Sequence, residues 1–409
     1  MSEVGIVGIN LDDNYCGRCS ICSSICPYDA IGVDAETGEV RIDIEKCQFC
    51  GICYSACPVN AIDIVYYDSD TLLKKLEKAA AKKGADTLVL MCRGNSPSTC
   101  QIDEILEGVC CKSYVPLRVP CVGRVPPEFI FKTLTLGINN IIAIRCEEEF
   151  CRFKDGSRIN NQRLSIAKRV LEELGYDDVL RVNTYARKAV YDTDKCVGCD
   201  KCVFICPYEA IDVQSLATPV INADKCVGCG ACALVCPHLA IQLEGFEYEA
   251  VARRIQRYGA AARELKAKGV SPLILAFCCQ WSEFSALDQP KTRLFDNKVV
   301  LMEIPCFKGL DPYHVIEALH YGFDGVLAVV CSDEDCKLEK GYDVAQRNTA
   351  VLRRVLKNLN LQDRFELYTA SPRNVGDFTR QLRSFIERIG SLSPLSLSAR
   401  PITVDADDV

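Results

Sequence analysis

Sixteen cysteines of this chain fall into four copies of one spacing, C-x2-C-x2-C-x3-C-P, beginning at Cys16, Cys47, Cys196 and Cys226. The first pair of copies holds Cys16, Cys19, Cys22 and Cys26, then Cys47, Cys50, Cys53 and Cys57. The second pair holds Cys196, Cys199, Cys202 and Cys206, then Cys226, Cys229, Cys232 and Cys236. A lone C-x2-C would serve a zinc ion or a redox thiol pair equally well. Four complete copies in two adjacent pairs point instead to iron–sulfur cubes.

A 4Fe-4S cube needs four thiolates, and the short loop wraps three irons while its fourth cysteine reaches the neighbouring cube. Crossing therefore assigns Cys16, Cys19, Cys22 and Cys57 to one cube and Cys47, Cys50, Cys53 and Cys26 to the next. By the same rule Cys196, Cys199, Cys202 and Cys236 share a cube, as do Cys226, Cys229, Cys232 and Cys206. Pro27, Pro58, Pro207 and Pro237 fix the chain direction after each crossing ligand. Gly17, Gly51, Gly198 and Gly228 are expected to let backbone amides approach the sulfurs. Both short modules resemble two-cluster bacterial ferredoxins over their whole length. With every iron ligated, such cubes carry electrons and leave no open site for a substrate.

The chain has 28 cysteines among 409 residues. Disulfide scaffolds that rich in cysteine are short secreted chains, whereas this one is long, 49% apolar and without a basic-then-apolar leader. A cytoplasmic metalloprotein is expected. A net charge of −7 with no lysine or arginine run argues against nucleic acid as a partner. No segment reaches the roughly 18 apolar residues that span a bilayer, so no membrane insertion is expected. Neither a G-x-G-x-x-G turn nor a phosphate loop occurs.

The repeat extends beyond the cysteine-dense modules. Leu134, Gly137, Cys146, Cys151 and Gly156 return at one common offset as Leu319, Gly322, Cys331, Cys336 and Gly341, and Pro120-Cys121 returns as Pro305-Cys306. The expected organisation is a tandem duplication: ferredoxin-like modules at 11–67 and 190–246, longer modules at 70–188 and 248–392, and a loose tail at 393–409.

In the longer modules apolar runs alternate with helix-period stretches. Thr87 to Met91, Leu117 to Val119 and Asn140 to Arg145 read as strands, each leading to a cysteine. Helices are expected over Pro126 to Leu136 and Asn161 to Leu174, stopped by Gly137 and Gly175. That alternation implies βαβ units. The fold class is thus α+β and α/β: a tandem repeat of a bacterial-ferredoxin-like module plus a small open parallel-sheet α/β module. Ligands of open α/β sheets gather at the carboxyl ends of the strands. Cys92, Cys121, Cys146 and Cys151 would converge there, as would Cys279 (or Cys278), Cys306, Cys331 and Cys336 after the runs Leu273 to Phe277, Val299 to Ile304 and Gly325 to Val330. Four thiols suffice for a 2Fe-2S cluster. Cys100, Cys110 and Cys111 have no partner in the repeat and read as inert. His238, His314 and His320 are scattered, and the arginines Arg253, Arg254, Arg257 and Arg263 read as a solvated helix face.

The stretches Val119-Pro120-Cys121-Val122-Gly123-Arg124-Val125-Pro126-Pro127 and Arg145-Cys146-Glu147-Glu148-Glu149-Phe150-Cys151, with Ile304-Pro305-Cys306 and Cys331-Ser332-Asp333-Glu334-Asp335-Cys336, resemble the delta subunit of methyl-viologen-reducing hydrogenase. The resemblance implies a 2Fe-2S protein that passes electrons between a hydrogenase or formate dehydrogenase and the flavoprotein of heterodisulfide reductase. Carried over, it implies ligation by Cys92, Cys121, Cys146 and Cys151, and by Cys279, Cys306, Cys331 and Cys336. The chain departs from the family where a second cysteine follows the first, having Arg93 and Gln280 there, and where histidines follow the later cysteines, having Glu147, Arg152, Ser332 and Lys337.

The expected function is an electron-transfer subunit of an anaerobic redox complex of the kind that serves methanogenesis. It would carry four 4Fe-4S clusters and one or two 2Fe-2S clusters, and do no bond-making chemistry alone. The competing readings are a reductase whose α/β-module cluster has an open site for a disulfide-like substrate, and a redox sensor or cluster carrier.

Overall fold

A computed structural model of the chain describes residues 8–64, 68–93, 96–97, 102–103, 105–107, 109, 113–214, 218–280, 298–371, 375–393 and 395. Cys100, Cys110 and Cys111, and most of the tail, lie outside the described residues.

The first cysteine-dense module carries strands β1 (Ile9–Leu11), β2 (Ile31–Val33), β3 (Val40–Ile42) and β4 (Ile62–Ile64). β1 pairs antiparallel with β4 and β2 with β3. Strands this short bury little by themselves. Ile9, Ala30, Ile31, Val40, Ile62 and Ile64 close instead over Cys22, Cys47 and Cys53, so the cysteine loops form part of the core.

The first α/β module has strands β5 (Thr87–Cys92), β6 (Tyr114–Val119), β7 (Asn140–Cys146) and β8 (Leu180–Tyr185), in the order β6-β5-β7-β8 with every pair parallel. β5 is buried along its whole length, as a central strand covered on both faces must be. Helices Ser69–Lys83, Pro127–Leu134 and Gly156–Glu173 supply one covering layer. The first of them starts where the Asp68 carboxylate accepts from the Thr71 amide and stops at left-handed Gly84.

The second half repeats this plan. Its short strands are β9 (Ala189–Tyr191), β10 (Ile211–Gln214), β11 (Thr218–Ile221) and β12 (Ile241–Leu243), paired β9 with β12 and β10 with β11. Its parallel sheet holds β13 (Ile274–Cys279), β14 (Val299–Ile304), β15 (Gly325–Cys331) and β16 (Phe365–Ala370) in the order β14-β13-β15-β16. Helices Tyr248–Ala267, Tyr313–His320 and Gly341–Asn358 pack on the face of Phe277 and Cys279, and Val375–Ser391 on the face of Ala276 and Cys278. One continuous apolar core runs from Leu88, Leu90 and Ile141 to Ile274, Ala276 and Val329, uniting the halves. Arg93 adds a buried ion pair across the same junction, its Nε 3.0 Å from Glu303 Oε1.

Two helices differ from the sequence-based expectation. The helix expected over 126–136 spans Pro127–Leu134, and that expected from Asn161 begins a turn and a half earlier, at Gly156. Gly156 and Ser157 look like loop residues because neither is a strong helix former. They are helical here because Ser157 bonds the Cys146 carbonyl through its hydroxyl and the Cys151 sulfur through its amide, the latter at 3.2 Å. Each cysteine expected to follow β5, β7, β13 or β15 is the last residue of its strand. The arginine face also departs from a uniformly solvated one. Arg254 is half-buried, stacks on Phe246 and donates to the Gly245 carbonyl at 2.9 Å, while Arg253 pairs with Glu249 in solvent.

Candidate metal centres

In all four cysteine motifs the third cysteine sits on a five-residue helix, entered through a left-handed residue: Ser20 (φ 61°), Gly51 (φ 79°), Asp200 (φ 56°) or Gly230 (φ 83°). The sharp turn points successive thiols into one space. Cys47, Cys50 and Cys53 line such a space together with Cys26 of the other motif, about 330 Å³ in all and partly open to solvent. Cys226, Cys229 and Cys232 do so with Cys206, and Cys196, Cys199 and Cys202 with Cys236, each around about 350 Å³. Cys16 and Cys19 stand beside Cys22, and Cys57 follows the helix Ile52–Ala56. The exposed His238 also borders the space of Cys196 and Cys236.

Backbone amides reach the sulfurs in a regular way. Each crossing cysteine accepts from the residue four positions on: Ala30 to Cys26 at 3.4 Å, Ala61 to Cys57 at 3.2 Å, Ala210 to Cys206 at 3.4 Å and Ala240 to Cys236 at 3.2 Å. Such bonds stabilise charge on sulfur. Gly198 donates likewise to Cys196 at 3.4 Å, as expected of the motif glycines. Gly51 and Gly228 answer to a different constraint: a Cβ on Gly51 would lie 2.6 Å from Arg124 Nε, and one on Gly228 would lie 2.5 Å from the Arg187 carbonyl.

In the first α/β module Cys92 and Cys146 end adjacent parallel strands, Cys121 follows β6, and Cys151 follows a short 3-10 turn. The thiol of Cys92 lies within hydrogen-bonding reach of those of Cys121 and Cys146. Bonds from Cys121 and Cys146 hold the Cys92 thiol well below its ordinary range, and the bond to Cys92, then burial, holds Cys121 well above. The Val122 amide donates to Cys92 at 3.3 Å. Gly156 leaves room beside Cys121 and Cys151, where its Cβ would lie 2.9 and 3.4 Å from the two sulfurs.

The second module matches it. Cys279, Cys306, Cys331 and Cys336 line one space of about 280 Å³ with Gly341, and Phe307 donates to Cys279 at 3.3 Å. Cys279 hydrogen-bonds with Cys306, which lowers its pKa, but Cys331 and burial outweigh that and leave it raised. The alternative Cys278 points to the opposite face, where its thiol meets the Ala276 carbonyl at 3.4 Å among core side chains. Strand alternation separates the two neighbours.

Soft sulfur donors converging on these spaces fit iron–sulfur groups. Without metal, burial pushes the Cys50 thiol up to about 11 and raises Cys53, Cys229 and Cys232 as well. Loading these sites therefore displaces protons.

The fold sets the α/β thiols next to the ferredoxin-like ones. Cys50 and Ile52 pack with Cys121, Phe153 and Ile159 in a single buried cluster joined by Tyr28 and Cys151. Tyr28 is raised by burial first, then by Cys50, Cys151, Cys121 and Cys26, so its phenol stands between the two thiol sets. Tyr208 occupies the corresponding place, pushed up to about 12 by burial, and accepts from the Glu339 amide at 2.7 Å. Around these tyrosines the two halves use different chemistry. Arg124 donates to the Phe49 carbonyl at 2.6 Å, whereas Gly309 and Gly230 meet backbone to backbone and Lys308 lies near Cys229 and Cys306. Sequence reasoning missed Tyr28, Tyr208, Arg124 and Lys308. A signal existed for the tyrosines, since Cys-Pro-Tyr ends the first motif of each module and neither second motif.

Among the described residues no helix is long and apolar enough to cross a membrane. A 4Fe-4S dicluster domain matches residues 15–61 and 182–240. One subunit of the ferredoxin:CoB-CoM heterodisulfide reductase of Methanosarcina mazei is 32% identical over 207 residues, covering 50% of this chain and 25% of its own length. The chain thus spans about a quarter of the length of that relative. The iron-sulfur subunit of an F420-non-reducing hydrogenase from Archaeoglobus profundus is 39% identical over 69 residues, 16% of this chain and half of its own. Its counterpart in the F420-non-reducing hydrogenase vhu of Methanocaldococcus jannaschii, also an iron-sulfur subunit, is 25% identical over 134 residues, 32% of this chain and 100% of its own. The methyl-viologen-reducing hydrogenase, delta subunit, family matches residues 87–194 and 274–393, more than half of the sequence, and the chain belongs to that family.

Proposed function

We propose that the chain is a one-electron relay within a multisubunit redox complex, drawing on a hydrogenase- or formate-dehydrogenase-like donor and serving a heterodisulfide-reductase-type flavoprotein or a similar acceptor. The observation that carries this reading is Tyr28, whose ring touches the surroundings of both thiol sets in the first half. A protein that merely stored clusters would gain nothing from packing two sites against one phenol.

The proposed ligand sets are the four crossed quartets of the cysteine motifs for 4Fe-4S clusters. For 2Fe-2S clusters they are Cys92, Cys121, Cys146 and Cys151, and Cys279, Cys306, Cys331 and Cys336. Iron–sulfur clusters supply reversible one-electron levels without bond-making chemistry. The chain's own residues hold the thiolates, donate amides to their sulfurs and bury three of the four cysteines of each inner quartet. Cys47, Cys50, Cys53, Cys226, Cys229 and Cys232 are buried, whereas Cys19 and Cys199 are exposed. The exposed cysteines mark the ends at which a donor or acceptor would dock.

Anaerobic purification of the native complex, with iron and sulfide counts and partner identification, tests the proposal. Iron–sulfide absorption that bleaches with dithionite, and co-purifying oxidoreductase subunits, are expected. Recovery of zinc alone would end it.

A further inference from the structure

The residue after the last α/β cysteine of each half reaches into the other half. Arg152, next to Cys151, donates to the Val227 carbonyl at 3.0 Å and to the Lys337 carbonyl at 3.2 Å. Lys337, next to Cys336, hydrogen-bonds through Nζ to Gln48 Oε1 and lies 5.4 Å from the centre of the Phe153 ring. Val227 follows Cys226 and lines the space enclosed by Cys206, Cys226, Cys229 and Cys232. Gln48 follows Cys47 and lines the space enclosed by Cys26, Cys47, Cys50 and Cys53. The two contacts are therefore equivalents under the internal duplication, each passing from one half to the inner cysteine quartet of the other.

Charge follows the same path. Arg152 places its guanidinium on the Val227 carbonyl, and Val227 and Tyr208 both line the space of the second half's inner quartet. Lys337 borders both its own quartet, with Cys336, and the neighbourhood of Gln48. A cation at the wall of a site stabilises the reduced, more negative state of whatever redox group the site holds, and a low-dielectric surrounding strengthens the effect.

We propose that Arg152 and Lys337 are reciprocal positioning residues that join the two halves into one relay. Each brings a positive charge from its own α/β loop to the inner 4Fe-4S site of the opposite half, raising that site's potential and holding the two inner regions together. One electron leaving a group in one half is then taken up by a group in the other, with no proton moved and no bond made or broken. This inference rests on the relay reading above and answers what that reading leaves open, namely whether the halves are two separate wires or one.

The test uses the full chain, purified anaerobically, with EPR-monitored potentiometric titration of each 4Fe-4S signal. Cys226→Ser and Cys47→Ser identify the signals of the two inner sites by the signatures they alter. Arg152→Gln removes the charge while keeping amide donors, Lys337→Met removes it while keeping length, and Arg152→Lys restores charge at the first position. Arg152→Gln is expected to lower the midpoint of the second half's inner site, and Lys337→Met that of the first half's, with Arg152→Lys returning the first shift. Spin–spin broadening between the inner sites of the unaltered, fully reduced chain is also expected. Shifts confined to the half that carries the substitution, or absent altogether while all clusters load, overturn the cross-half proposal and leave the relay reading standing. Absence of any iron–sulfur signal in the unaltered chain overturns both.

Discussion

A methyl group on Gly341 would lie 2.7 Å from the sulfur of Cys336, closer than a carbon and a sulfur can approach. Gly156 bears the same relation to Cys121, at 2.9 Å. Both glycines open long helices beside an α/β thiol set, and both are recovered by the internal repeat. Gly156→Ala and Gly341→Ala are each expected to displace one thiol and lower bound iron by the content of one α/β site, while the 4Fe-4S signals persist. Iron and sulfide counts with EPR check this.

The two cysteines at the end of β13 separate cleanly by role. Cys279→Ser is expected to abolish loading of the second α/β site. Cys278→Ala, on the core side, should cost about 1 kcal/mol of stability through a small cavity and leave iron content unchanged. Thermal unfolding and metal analysis of the two variants distinguish them.

Gly228 has φ +63° and would meet the Arg187 carbonyl at 2.5 Å if it carried a Cβ. The obstacle is backbone, which cannot swing aside as a side chain can. Gly228→Ala is expected to destabilise the chain by about 1–3 kcal/mol. Gly17→Ala, which would meet nothing within 4 Å, should be close to neutral. Denaturant midpoints of the two variants give the comparison.

Removal of Glu303 takes the carboxylate from a guanidinium that is 2% exposed, at the junction of the halves. Truncating one partner of a buried pair leaves the other desolvated. Because Glu303 itself is about a quarter exposed, Glu303→Ala should cost about 1–3 kcal/mol, short of the full penalty of a buried pair. A lowered thermal midpoint with all iron–sulfur signals retained is the expected result.

Cys50 makes the metal-free chain sensitive to alkali. Burial raises its thiol from 9.0 to about 11, so above pH 9 the unfolded chain releases a proton that the folded chain retains. Folded stability is full below pH 9 and declines as pH rises towards 11, with Cys53 and Cys232 acting in the same direction. Denaturant midpoints of the reduced apo-chain should hold between pH 8 and pH 9 and fall from there to pH 11. A flat profile would contradict it.

Much of this protein is legible in its sequence because the relevant information is local. Four thiols within eleven residues, closed by proline, dictate a wrapping loop whatever surrounds it, and continuous apolar runs such as Thr87 to Cys92 dictate a strand covered on both faces. The offset that pairs Cys121 with Cys306 and Gly156 with Gly341 reveals the duplication from spacing alone. Other features have no local signature. Cys278 and Cys279 differ only in which sheet face each meets, and that is set by helices packed from elsewhere in the chain. Gly51 and Gly228 carry the same motif position as other cluster-loop residues, yet their size is dictated by Arg124 and Arg187 arriving from distant segments. The passage of Arg152 to Val227 and of Lys337 to Gln48 depends on how two halves settle against one shared core, a long-range choice that spacing along the chain does not encode.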